Sequence, residues 1–241
     1  MFLITMAGLS SRFFKAGYHE PKYKLEILAE SVFAHATKSF SRYFDTDLFV
    51  FVIRDVFNTK FFVQSEIARL GIKNFKIVTI NYETRGQAET AYLGLKEINS
   101  NESVTIFNID TLRYDYKKPE ELDSWDGYLE VFEAEGEHWS FVEPGYKNRV
   151  IRTTEKDRIS NLCSDGLYYF KTKELFMKTF ETASRNEELV RGEFYVAPLY
   201  NKLISDSLDI RYDIINLDQI DFCGTPDEYE SLAKKMTSGN K

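Results

Sequence analysis

Residues 2–6, FLITM, form an apolar run with no alternation that ends on Ala-Gly. A run of that kind suits a strand covered on both faces, as in the middle of a parallel sheet. LFVFVI (48–53) reads as the next buried strand, and FKIVTI (75–80) and SVTIFNI (103–109) give a third and a fourth. Between these runs the apolar spacing becomes helical. One such stretch starts near Ser31 and carries Val32, Phe33, Ala36 and Phe40; the others cover about 57–70 and 86–98. Strands and helices that alternate through short joints predict parallel βαβ units with right-handed crossovers.

After Asp110 the rhythm changes. DGYLEVFE (126–133), WSFVEP (139–144), RVIRTTE (149–155) and GLYYF (166–170) are strand-like runs with no helix between them, which predicts antiparallel pairing. Helical spacing resumes at about 171–184 and 194–205, followed by a strand at 209–215 and a closing helix at 226–236 with Pro226 in its first turn. The tail SGNK reads as frayed. The expected fold class is α/β: three layers around a mostly parallel mixed sheet with an antiparallel portion.

Composition narrows the class. With 241 residues, 43% hydrophobic and 15% aromatic, the chain can bury a large core, and no polar linker divides it. One domain is expected. The 31 basic residues against 38 acidic leave a formal charge of -7, the wrong sign for holding a nucleic-acid backbone. No apolar run approaches the roughly 20 residues of a membrane span, and no leader-like segment opens the chain, so no membrane partner and a cytoplasmic location are expected. Cys163 and Cys223 lack metal-ligand spacing and read as small buried hydrophobes. His19, His35 and His138 are too scattered to suggest a metal site or a catalytic triad.

Candidate chemistry sits where the predicted strands end, since open α/β sheets bind ligands beyond their carboxyl edges. The first strand runs into Ala7-Gly8-Leu9-Ser10-Ser11-Arg12. Small residues let backbone N–H groups approach phosphate oxygens, and Arg12 adds a permanent planar charge. A nucleoside triphosphate suits such a loop; so does a plain tight turn with a surface arginine. The fourth strand ends FNID, placing Asp110 where a lone carboxylate can hold a hard divalent cation, although Asp is also common where a strand turns.

Together these segments resemble the sugar-phosphate nucleotidylyltransferase family, the pyrophosphorylases. The family's Ala-Ala-Gly-x-Gly-x-Arg is similar to residues 6–12, and its Pro-Lys-Pro-Leu to Pro21-Lys22-Tyr23-Lys24. By that resemblance Arg12 and Lys22 are catalytic and face the triphosphate, and Ala7, Gly8, Ser10 and Ser11 cradle it. Gly86-Gln87-Ala88 resembles the segment that reads the base, with the Gln87 amide able to donate and accept on a pyrimidine edge. Asn108-Ile109-Asp110 resembles the metal-binding segment, which implies Mg²⁺ on Asp110 with Asn108 beside the nucleotide. Glu155-Lys156, Gly166 in DGLYYF and Glu193 in EFY resemble the acceptor side. The implied division is a nucleotide half, 1–115, and an acceptor half, 116–241.

The chain also departs from the family pattern. Ser10 stands at the second glycine, which is tolerable if its backbone is not left-handed. Tyr23 replaces the second proline. The late Asp-x-Gly-Thr-Pro becomes Asp221-Phe222-Cys223-Gly224-Thr225-Pro226, so the second metal carboxylate is displaced by one position, which turns a strand side chain to the other face. Either a bulge restores Asp221 to the metal, or the cation leans on Asp110, phosphates and water.

The implied reaction joins an NMP from CTP, UTP or dTTP to a small phosphorylated acceptor, a sugar or another metabolite, with pyrophosphate release. The PKYKLE segment and the short chain resemble capsule-biosynthesis members, some of which are cytidylyltransferases. The rivals are a glycosyltransferase of the related fold, for which Arg12 and Lys22 have no task, and a non-catalytic nucleotide-binding module. Trp139, Tyr168, Tyr169 and Tyr195 read as pocket lining or as core. Monomer and homodimer both remain open.

Overall fold

The computed structural model describes residues 1–239. In chain order its elements are β1 (Phe2–Met6), α1 (Ser11–Lys15), β2 (Glu26–Ile27), β3 (Glu30–Ser31), α2 (Val32–Lys38), β4 (Phe49–Arg54), α3 (Thr59–Leu70), β5 (Phe75–Ile80), α4 (Gln87–Lys96), β6 (Val104–Asn108) and β7 (Thr111–Arg113). The second half contributes β8 (Gly127–Glu133), β9 (Ser140–Pro144), β10 (Val150–Glu155), β11 (Leu162–Phe170), α5 (Lys173–Arg185), α6 (Tyr200–Ser205), β12 (Ile210–Ile214), β13 (Ile220–Phe222) and α7 (Pro226–Ser238). Of the SGNK tail, Ser238 ends α7 and Gly239 follows it; Asn240 and Lys241 lie outside the described residues.

A nine-stranded sheet organises the chain. Strands β6, β1, β4 and β5 lie side by side and parallel, with Phe2 opposite Phe49 on one flank and Thr105 on the other. The unbroken apolar strings follow from this placement: in β1 both faces are covered, so alternation would bury polar side chains. One face packs on α4 and α5 through Leu3, Val50, Val52, Ala91 and Leu95. The other packs on α2 and α3 through Phe2, Phe33, Phe51, Val63 and Phe107. The mostly parallel, three-layer reading holds.

The antiparallel portion begins at β11, which pairs β6 on one side and β8 on the other. Its register against β8 shifts between Ser164 and Tyr168, a bulge that re-aims the strand at the cleft wall. Strands β9 and β10 form the outer hairpin, and β12 adds to β8 in parallel. β13 returns to pair antiparallel with β7, directly after Asp110. Thr225 caps α7 reciprocally with Glu228, and Pro226 occupies its first turn. Both cysteines are free and buried, as expected. Among the described residues no helix is long and apolar enough to cross a membrane.

Candidate active site

The carboxyl ends of β1 and β6 and the inner wall of the β8–β11 region enclose a cleft of about 1010 Å³. Its floor starts where β1 ends: Ala7, Gly8, Ser10, Ser11 and Arg12 all line it. Ser10 lies in the left-handed region at φ 53°, where an L side chain costs about 1–2 kcal/mol, so the condition set for tolerating serine there is not met. A hydrogen bond offsets the strain. Ser10 Oγ accepts from the Lys22 backbone N–H at 3.1 Å, a contact that glycine cannot make and that ties the loop to the Pro21–Lys22 turn.

Lys22 sends its ammonium onto Asp110, 88 positions away, and the two form an ion pair inside the cleft. Burial works against the charged carboxylate, but Lys22 and the Asn108 amide outweigh it and hold Asp110 below its ordinary range. Asn108 Nδ2 donates to Asp110 Oδ1 at 3.0 Å and to Thr111 Oγ1 at 2.8 Å. Gly166, at φ 95°, backs Asn108 so closely that a Cβ there would lie 2.9 Å from Asn108 Cγ. The Asp110 carbonyl accepts from Cys223 N–H at 2.9 Å, which fixes the late strand beside it.

Gln87 opens α4 and lines the cleft, with Nε2 3.4 Å from Thr5 Oγ1. Gly86 before it sits at φ 116°, where a Cβ would come within 2.9 Å of the Phe194 nitrogen. On the opposite wall Glu155 is 7% exposed and accepts from Ser140 Oγ. Burial pushes Glu155 above the ordinary range, further than Ser140 and Lys156 pull it back. Lys156 Nζ contacts the Tyr195 hydroxyl, lies 4.4 Å from that ring's centre and is 3.8 Å from Glu155. Glu193 lines the same wall. Of the aromatics singled out from sequence, Trp139, Tyr168 and Tyr195 line the cleft, while Tyr169 is buried in the core.

Asp221 does not join this group. β13 pairs β7 without a bulge, Asp221 opposite Leu112 and Phe222 opposite Thr111, so alternation turns Asp221 outward. Its carboxylate is held by Lys235 Nζ at 2.8 and 2.7 Å and by the Tyr114 hydroxyl at 2.8 Å. Phe222 faces the cleft instead and packs on Trp139 with ring centres 5.0 Å apart. The bulge that could have restored the acid is absent from this pairing.

A hard divalent cation remains compatible with the donor set. Among the described residues no group of three or more His, Cys, Asp or Glu is placed to hold a metal, but such a cation is commonly kept by one or two carboxylates, substrate phosphates and water. Asp110 is the carboxylate that would serve.

Sequence reasoning missed the buried trio of Arg113, Glu130 and Asp165 below this floor. Its members are 52 positions apart at the extremes, and no local spacing signals their contact.

A crystal structure described as the nucleoside-diphosphate-sugar pyrophosphorylase from Vibrio cholerae RC9 is 45% identical, with 97% of this chain and 100% of that chain covered and a TM-score of 0.94. The chain belongs to the nucleoside-diphosphate-sugar pyrophosphorylases. Two more distant pyrophosphorylase-fold structures share the architecture. A putative glucose-1-phosphate thymidylyltransferase from Bacillus anthracis is 14% identical over 98% of this chain and 94% of that one, TM-score 0.76. The inositol-1-phosphate CTP transferase from T. maritima is 15% identical over 99% and 96%, TM-score 0.73. No family model and no curated protein matches the chain. The membership makes this pyrophosphorylase-family protein a nucleotidylyltransferase, in line with the resemblance of its opening loop and its Pro-Lys pair.

Proposed function

We propose that the chain transfers a nucleoside monophosphate from CTP, UTP or dTTP to a small phosphorylated acceptor and releases pyrophosphate. A phosphate oxygen of the acceptor attacks the α-phosphorus; the new P–O bond forms as the bond to the β-phosphate oxygen breaks, and the electron pair leaves with pyrophosphate. The task is to align two anions and neutralise their charge, with little proton transfer. Arg12 and Lys22 take the charge growing on the α-phosphate and the departing pyrophosphate. Ala7, Gly8, Ser10 and Ser11 supply the cradle, and Gln87 and Asn108 meet the nucleoside. Glu155, Lys156, Gly166 and Glu193 form the acceptor side, Lys156 meeting the acceptor's phosphate. Mg²⁺ on Asp110 would supply charge neutralisation between phosphates; Asp221 is left out of this reading.

The observation that carries the proposal is the meeting of Lys22 and Asp110 in one cleft, between the Ser10–Arg12 loop and the Glu155–Lys156 wall. The division into a nucleotide half (1–115) and an acceptor half (116–241) is part of this reading, and is supported by the Ser10–Arg12 loop coming from the first and the Glu155–Lys156 wall from the second. A cytidylyltransferase serving capsule or surface polysaccharide synthesis in the cytoplasm is the finer reading, supported by the PKYKLE segment and by the amide of Gln87. Pyrophosphate release across a panel of nucleotides and acceptor phosphates tests it. Release that needs both a pyrimidine nucleotide and an acceptor supports the proposal. Sugar transfer from a nucleotide-sugar without pyrophosphate, or binding without turnover, refutes it.

A further inference from the structure

Below the cleft floor, β7 carries Arg113 into the interior. Its Nε and Nη2 donate to the two oxygens of Glu130 on β8 at 2.6 and 3.1 Å. Asp165 on β11 sits in the bulge that passes Glu130, between the Ser164–Val131 and Tyr168–Leu129 pairs, and the three side chains are buried, with Arg113 5%, Glu130 2% and Asp165 2% exposed. Asp165 Oδ1 accepts from the Leu167 N–H at 3.0 Å, while Oδ2 is buried without a hydrogen-bond partner among the described residues. One acid would neutralise Arg113; the interior holds two. The Tyr128 hydroxyl lies 3.4 Å from Glu130 and 3.4 Å from the Asp213 carboxylate on β12, a third acid on this side, and the Tyr116 and Tyr168 hydroxyls stand nearby. Among the described residues no second cation is paired with these acids, and an uncompensated buried charge is costly.

The location links this trio to the site. Arg113 follows Asp110 by three residues, and Asp165 precedes Gly166, whose missing side chain admits Asn108, the residue that holds Asp110 Oδ1. Asp165 also lines the cleft. We propose that Asp165 is a positioning residue carried as a neutral carboxylic acid, which with Glu130 and Arg113 locks the acceptor strand β11 against the loop bearing Asp110. Burial first, and the Glu130 charge second, favour the protonated acid by raising Asp165 far above the ordinary carboxylate range. The proton is lost when the chain unfolds, because a solvated aspartate at neutral pH is ionised.

Urea unfolding of the full chain between pH 6 and 8 reads that proton without any substrate, so its outcome is independent of the nucleotidyl-transfer proposal. The native state binds the extra proton, so wild-type stability falls as pH rises in this range. Asp165→Asn, which keeps size and neutrality, should release about one proton fewer per chain on unfolding. Glu130→Gln should do the same, because Asp165 then ionises against Arg113. Turnover supplies the positioning readout, taken well below each variant's melting temperature. Asp165→Asn should keep wild-type kcat and Asp165→Ala should lose about tenfold to a hundredfold, with nucleotide KM unchanged in both. Equal proton release by wild type and Asp165→Asn overturns the neutral acid. An Asp165→Asn enzyme as impaired as Asp165→Ala, or an Asp165→Ala enzyme with wild-type kcat, overturns the positioning role.

Discussion

Replacing Gly166 by alanine probes the most crowded point of the site. The residue sits at φ 95°, where an L side chain is strained, and its new Cβ would lie 2.9 Å from Asn108 Cγ and 3.1 Å from Asn108 Nδ2. The backbone strain costs about 1–2 kcal/mol and the overpacking about 1–3 kcal/mol, for a sum of about 2–5 kcal/mol. In a chain of this size that corresponds to a drop in melting temperature on the order of 10 °C. The clash also has a direction. Asn108 is the side chain that moves, and its amide is what Asp110 Oδ1 accepts from, so kcat should fall together with stability. Differential scanning calorimetry and pyrophosphate release on the same preparation measure both. A Gly166→Ala variant melting within about 2 °C of wild type with unchanged kcat would show that Asn108 yields freely, and the close-contact reasoning would be wrong.

Lys22→Met removes the ammonium paired with Asp110 and should lower kcat by about 10² to 10³ with the fold retained by circular dichroism; a loss under tenfold removes Lys22 from the chemistry. Asp221→Asn gives up an exposed pair with Lys235 worth at most about 1 kcal/mol, and should leave turnover and the Mg²⁺ concentration giving half-maximal rate within about twofold. A tenfold rise in that concentration would return Asp221 to the metal. Glu155 is raised by burial, so as pH falls it takes up a proton earlier than an ordinary glutamate. The acid limb of kcat/KM for the acceptor should therefore lie above the ordinary glutamate range and disappear in Glu155→Gln. Because the folded value is raised, the stability linked to this group is present below the unfolded value and lost as pH rises through the folded one.

The parallel core was legible because its strands are covered on both faces: FLITM and LFVFVI carry no charged residue and only one polar one, Thr5, and that continuity is visible in a single chain. The second half was read less fully. GLYYF stood out as a strand, yet β11 starts four residues earlier, at Leu162. Ser164 and Asp165 disguise that start, since an acid in a strand looks solvated until Arg113 and Glu130 are seen packed around it. Helix α1 spans five residues and β7 and β13 three each, too short for any period to register. The alternation rule did foresee the cost of moving Asp221 by one place, and the bulge-free register on β7 shows its consequence. The left-handed Ser10 was not foreseen, because the Lys22 N–H that offsets its strain lies outside the loop.

Pairing of β13 with β7 has a bearing on synthesis. The strand that braces Asp110, with Cys223 N–H on its carbonyl, comes from the final stretch of the chain, whereas β1 in the centre of the sheet comes from the beginning. A nascent polypeptide halted before Cys223 holds the Ser10 loop, Lys22 and Asp110 but leaves that carbonyl without its partner. The turn at Asp110 after β6 is thus completed only once β13 has been made, and a truncation that removes β13 while sparing Lys22 and Asp110 would still unsettle the ground on which they stand.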